Sequence, residues 1–208
     1  MHVTWSVREE LPNLRGPKPM RVIRAAFRKG KDRFGFKLVH FSVQKAHVHL
    51  VCEAQDARSL ARGLQGLAVR VAKGLNRALG RKGKVFSDRY HSRILKSPAE
   101  VRWALGYVLN NTRRHNAHGS SPDGSSHAQR LVPRRYPRRW LDVACSSARY
   151  LDGFALGAKP LAFTEPDDSS PVVAPSRWLL KVGWRRAGGR IPTDHVPAAR
   201  GAAEPRAG

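Results

Sequence analysis

The chain has 208 residues and carries 39 Lys and Arg against 15 Asp and Glu, a formal net charge of +24 with a pI near 11.5. That length suits one ordinary domain, with or without an extension, and the charge excess points to a polyanionic partner, nucleic acid first. Two cysteines, Cys52 and Cys145, make neither a disulfide framework nor a zinc pattern, and neither an apolar signal region nor a membrane-length apolar run is found, so a reducing cytoplasm and no membrane partner are expected.

In chain order, "HVTWSV" (2–7) alternates and is rich in β-branched and aromatic residues, which predicts a strand. "LPNLRGPKP" breaks the chain, and from Met20 the positions Val22, Ile23, Ala26 and Phe27 recur at helical spacing until near Gly30. "FKLVHFSV" (36–43) and "HVHLVCEA" (47–54) read as strands separated only by Gln44, Lys45 and Ala46, the spacing of an antiparallel hairpin. Asp56 is placed to cap a long amphipathic helix with an apolar stripe of Leu60, Leu64, Leu67, Ala68, Val71, Leu75 and Leu79. "GRKGK" (80–84) reads as a flexible basic loop, and a last strand starts at about Arg89. Ser97, Pro98 and Glu100 then spell an N-cap, a first-turn proline and a capping box, opening a helix with core positions Val101, Ala104, Leu105 and Val108.

This order predicts an α+β fold, a ferredoxin-like antiparallel sheet (βαββαβ) with one added helix. The expected domain covers residues 1–116. Residues 117–208 form a basic, Pro/Gly/Ser-rich C-terminal extension, irregular apart from a short amphipathic segment near 176–186.

Chemistry concentrates in two places. His47 and His49, two apart on a strand, point to one face, and neutral imidazole is the commonest metal ligand. On the last helix a second stripe runs Glu100, Trp103, Tyr107, Asn111 and Arg114, which sets a phenol and an amide oxygen four positions apart. If that helix crosses the histidine face, Asn111 becomes a third ligand beside Tyr107. Two imidazoles and an amide oxygen suit Mg²⁺ or Mn²⁺ better than zinc, because Cys52 points to the opposite face of its strand.

The ordered combination of "FGFKLVHFSVQKAHVHLVCEA", "GRKGKVFSDRYHSRILKSPAEVRWALGYVLNN" and "SRWLLKVGWRR" resembles the HUH single-tyrosine (IS200-like) transposases, in particular the REP-associated tyrosine transposases. The resemblance implies a metal site of His47, His49 and Asn111, with Tyr107 as nucleophile and the added helix as the catalytic one. It also implies an enzyme that nicks and rejoins single-stranded or hairpin DNA through a 5′-phosphotyrosine, in the nucleoid, with a homodimer as one possible assembly. Ala46 stands where the family often has asparagine before the first histidine.

Phosphate contacts are expected from Arg81, Lys82 and Lys84 in the loop, Arg89 and Arg93 on the strand, and Arg113 and Arg114 past the helix. Trp140, Trp178 and Trp184 are placed either to stack on unpaired bases or to pin the tail to the domain. Three rival readings remain at this level: an RNA- or DNA-binding module of ferredoxin-like fold, an inactive domesticated hairpin binder, and a metal-dependent hydrolase without a covalent step. Neither central strand carries the aromatic pattern of an RNA-recognition module.

Overall fold

The structure, a computed structural model, describes residues 1–113, 141–154 and 170–195. Its centre is a five-stranded antiparallel sheet of β1 (His2–Ser6), β2 (Asp32–Arg33), β3 (Phe36–Val43), β4 (His47–Ala54) and β5 (His91–Arg93). The strand order is β2-β3-β4-β1-β5. Without the two-residue β2, this is the ferredoxin-like arrangement: β1 lies between β4 and β5, and both crossovers carry a helix, α1 (Pro17–Gly30) and α2 (Ala57–Ala78). The α+β, antiparallel architecture expected from the sequence is the one observed.

Alternation along the strands sorts side chains into two cores. Val3, Trp5, Leu38, Phe41, Val43, Val48, Leu50 and Cys52 face one way, onto Ile23 and Phe27 of α1 and Leu60, Leu64, Leu67, Val71 and Leu75 of α2. Each fully buried Leu or Phe contributes about 1.5–3 kcal/mol, so this two-helix face dominates the stability of the sheet. Val39 and Val51 face the other way, onto Val101, Leu105, Val108 and Leu109 of α3 (Pro98–Leu109). A register shift between Leu38 and His40 places Val39 at an irregularity in β3, and Val39 and His40 are both buried.

Local signals set the helix ends. Asp56 caps α2 by accepting from the Ser59 N–H at 2.6 Å, and Ser97 with Glu100 closes a full capping box on α3. The structure starts α1 at Pro17, three residues before the predicted Met20. Proline in the first turn loses no intrahelical hydrogen bond, so the proline-rich stretch starts the helix as well as breaking the preceding chain. The last strand starts at His91, two residues later than predicted.

The described parts of the C-terminal region pack on both cores: Cys145 and Val172 join the two-helix core, and most of the rest packs on the α3 side. Ala148, Leu151, Phe154, Leu180, Trp184 and Ile191 join the second core. Residues 145–147 run along β3: Val43 N–H donates to Cys145 O, Ser147 N–H donates to Phe41 O, and Ser42 bridges Ser146. The predicted segment near 176–186 contains α4 (Trp178–Lys181) and a 3-10 turn (Gly183–Ala187). Beyond it the chain straps α3, with Arg102 donating to the carbonyls of Gly188, Gly189 and Arg190 and Asn110 Nδ2 donating to Pro192 O.

Candidate active site

Strand register builds the site. Ser42, His49, Thr4 and His91 form one row across β3, β4, β1 and β5, while Ser6 lies opposite His47 and His2 opposite Val51. These side chains share the face that α3 crosses. His49 is 6 % exposed, whereas His47 is exposed at the start of β4, with the two rings 6.5 Å apart. Thr4 Oγ1 lies 3.2 Å from His49 Nδ1. With Nδ1–H donating to that hydroxyl, Nε2 keeps its lone pair for a cation, the usual way an outer hydroxyl or carbonyl fixes a ligating imidazole.

Tyr107, half-buried on α3, sits edge-on to His49 with centroids 5.4 Å apart and rings at 89°. Its ring also meets His2 at 5.6 Å, and Trp103, one turn earlier, stacks on it at 5.0 Å and 16°. His2 in turn stacks on His49 at 5.7 Å. The phenol is therefore oriented by three rings. Sequence reasoning missed His2 and Thr4. Alternation in "HVTWSV" puts both on one face, but only the pairing of β1 with β4 reveals that it is the histidine face.

Asn111 departs from the expected geometry. α3 ends at Leu109, Asn110 (φ −101°, ψ 10°) forms its cap, and helical backbone resumes at Asn111. Tyr107 and Asn111 therefore do not share one uninterrupted helix face. Asn111 turns fully inward, 0 % exposed, and neither Oδ1 nor Nδ2 has a hydrogen-bond partner among the described residues. A buried amide with both atoms unsatisfied costs roughly 1–3 kcal/mol per group, and a cation on Oδ1 is one way to recover part of that cost. Among the described residues no three His, Cys, Asp or Glu side chains group to hold a metal by themselves, so a metal at the histidines would need a further donor such as the Asn111 amide oxygen. The donor set fits a hard divalent cation.

Other nucleophiles fare worse. Cys52 lies in the two-helix core, where burial pushes its thiol up to about 12. Tyr90 and Tyr150 pack against that same core, and Tyr136 lies outside the described residues. His40, also buried, is held neutral beside Ser147 Oγ at 3.2 Å, with burial lowering its pKa to about 3.

The expected phosphate contacts are scattered. Lys82 and Lys84 are exposed on the 80–84 loop, which is held by Asn76 Nδ2 donating to Gly83 O and Arg81 Nη2 to Lys84 O. Arg89 is exposed. Arg93 pairs with Glu100 at 2.8 Å, and the Lys96 N–H, then this pairing and the Ser97 N–H, hold the Glu100 carboxyl below its usual range. Arg113 is only 9 % exposed, and Arg114 lies outside the described residues. Trp184 is buried in the second core and so pins the C-terminal segment, Trp178 is half exposed under the Arg186 guanidinium, and Trp140 lies outside the described residues. No described helix is long and apolar enough to cross a membrane.

No protein-family model matches the chain, and no curated protein does. Among solved structures it is similar to a REP-associated tyrosine transposase bound to a REP hairpin, at 17 % identity and a TM-score of 0.45 over 55 % of this chain; it spans 66 % of that chain's length. It is also similar, at 17 % identity and a TM-score of 0.39, to a candidate transposase from Deinococcus radiodurans R1, over 46 % of this chain and 77 % of that one. What this chain does is therefore decided by the chemistry of its own site.

Proposed function

We propose that the chain is a transposase-type DNA strand-transfer enzyme that nicks and rejoins single-stranded or hairpin DNA through Tyr107. The observation that carries the reading is the meeting of the Tyr107 ring with His49 at 5.4 Å, on the sheet face that also carries His47, with Asn111 four residues on as a buried amide that has no hydrogen-bond partner among the described residues. His47, His49 and Asn111 would hold Mg²⁺ or Mn²⁺, which when bound draws charge from a scissile phosphate. The Tyr107 phenol gives up its proton and its oxygen attacks phosphorus. A 5′-phosphotyrosine ester forms as the P–O3′ bond breaks, and the 3′ oxygen leaves and takes a proton. Resealing reverses the exchange: a 3′-hydroxyl attacks the ester and Tyr107 regains its proton, so the bond energy is kept without a nucleotide cofactor. Trp103 and His2 hold the phenol ring throughout, and the net charge of +24 supplies the long-range attraction for the phosphate backbone.

The test is a labelled hairpin with single-stranded flanks, incubated with Mn²⁺ and run on a denaturing gel. Wild type gives a protein–DNA band that survives denaturation, Tyr107→Phe binds the DNA but gives none, and Tyr90→Phe and Tyr150→Phe keep it. A covalent band persisting in Tyr107→Phe moves the nucleophile elsewhere. Hairpin binding without a band from wild type, across many hairpins and both metals, supports the inactive binder instead.

A further inference from the structure

We infer that Thr112, gripped by Asp142 and Arg15, is the positioning residue that presents the Asn111 amide to the metal, so that a residue of the C-terminal region completes the site. The inference rests on the metal-site reading above. Because α3 ends at Leu109 with Asn110 as its cap, Asn111 follows a break in the helix, and the buried contacts of the next residue, Thr112, are what anchors the backbone there.

Thr112 is held from several sides. Its Oγ1 donates to Asp142 Oδ2 at 2.5 Å, and Arg15 Nη1 donates to the same carboxylate oxygen at 2.8 Å, to Thr112 Oγ1 at 3.1 Å and to Val43 O at 3.0 Å. Gln44 Nε2 donates to Thr112 Oγ1 at 3.4 Å and to Ser42 Oγ at 2.8 Å. Asp142, Thr112 and Gln44 are 3 %, 5 % and 3 % exposed, so the unit is buried, and Asp142 Oδ1 is itself fixed by the Cys145 N–H at 3.1 Å.

The same unit reaches the histidines. Gln44 N–H donates to His47 O at 2.8 Å, and Ser42 is the register partner of His49. The buried unit thus ties the residue after Asn111 to the turn that launches the histidine strand, so the backbone beside the amide and the backbone that starts the histidine strand are set relative to each other. Partners bonded directly to a ligand change metal affinity about 10–100-fold when removed, and Thr112, which acts one residue away through the backbone, belongs at the lower end of that range.

The experiment titrates Mn²⁺ into full-length protein, read by the loss of free-Mn²⁺ electron paramagnetic resonance signal, with near-ultraviolet circular dichroism and melting checked for every variant. Thr112→Val keeps the side-chain shape and removes the hydroxyl; its Mn²⁺ affinity is expected to fall about tenfold. Thr112→Ser restores the hydroxyl and is expected to stay within about threefold of wild type. Asp142→Asn, the second route to the same unit, is expected to weaken Mn²⁺ as well, while hairpin binding without metal is unchanged in all three. A folded Thr112→Val or Asp142→Asn with wild-type Mn²⁺ affinity overturns the inference alone. Wild type that binds no Mn²⁺, or binds it as well after His49→Ala, overturns the metal site first and this inference with it.

Discussion

Thr4→Val tests whether the hydroxyl beside His49 is there for a metal. Valine keeps the branched shape and removes the Oγ1 that lies 3.2 Å from His49 Nδ1. Without metal the loss is one ordinary hydrogen bond, about 0.5–1.5 kcal/mol of folding stability. On the proposed metal site the loss is larger, because Nδ1–H donating to that hydroxyl would leave Nε2 as the ligand, and removing such a partner weakens binding about 10–100-fold. At a Mn²⁺ concentration near 1,000 times the wild-type dissociation constant, linkage stabilises wild type by about 4.1 kcal/mol. The same concentration is only about 10–100 times the variant's constant, so its stabilisation falls to roughly 1.4–2.7 kcal/mol. Urea denaturation with and without Mn²⁺ measures both increments. Equal Mn²⁺ increments in the two proteins, with stability lower by the same amount in both conditions, would show Thr4 to be a packing residue and refute the tautomer argument.

The buried His40 sets a pH dependence: the unfolded chain takes up a proton near 6.5 and the folded chain only near about 3, so stability present above pH 6.5 is lost as pH falls between those values. Denaturation at pH 7, 6 and 5 should show a His40 contribution of up to about 1.4 kcal/mol per unit, absent in His40→Gln. Gly63→Ala places a Cβ 2.2 Å from Phe36 Cγ in the main core, and the clash should cost about 1–3 kcal/mol, outweighing the roughly 1 kcal/mol of helix propensity gained. Gly66→Ala, on the same helix, meets only Arg70 Nη1 at 3.0 Å, the end of a long side chain that donates to Gly66 O at 2.9 Å and can shift by a few tenths of an ångström, and should raise the urea midpoint instead.

What the sequence determined was what is local. Strands 36–43 and 47–54, the Asp56 cap and the capping box at Ser97 follow from periods of two and 3.6 and from single side chains satisfying nearby N–H groups, so their positions are legible from a few neighbouring residues. That His47 and His49 share one face belongs to the same class, whereas Tyr107 was singled out by the family resemblance and its place over that face depends on how α3 crosses the sheet. The tertiary structure decided what depends on pairing at a distance. The register that sets Thr4 beside His49 and His2 under Tyr107 joins residues more than forty positions apart, and nothing in "HVTWSV" specifies its neighbour. The break at Asn110 that turns Asn111 inward carries no glycine or proline to announce it. The grip of Asp142 on Thr112 spans thirty residues of a region whose composition reads as loop, because a single buried carboxylate carries no periodicity. Such contacts are chosen by which surfaces remain to be covered once the sheet has formed, and that is a property of the folded chain.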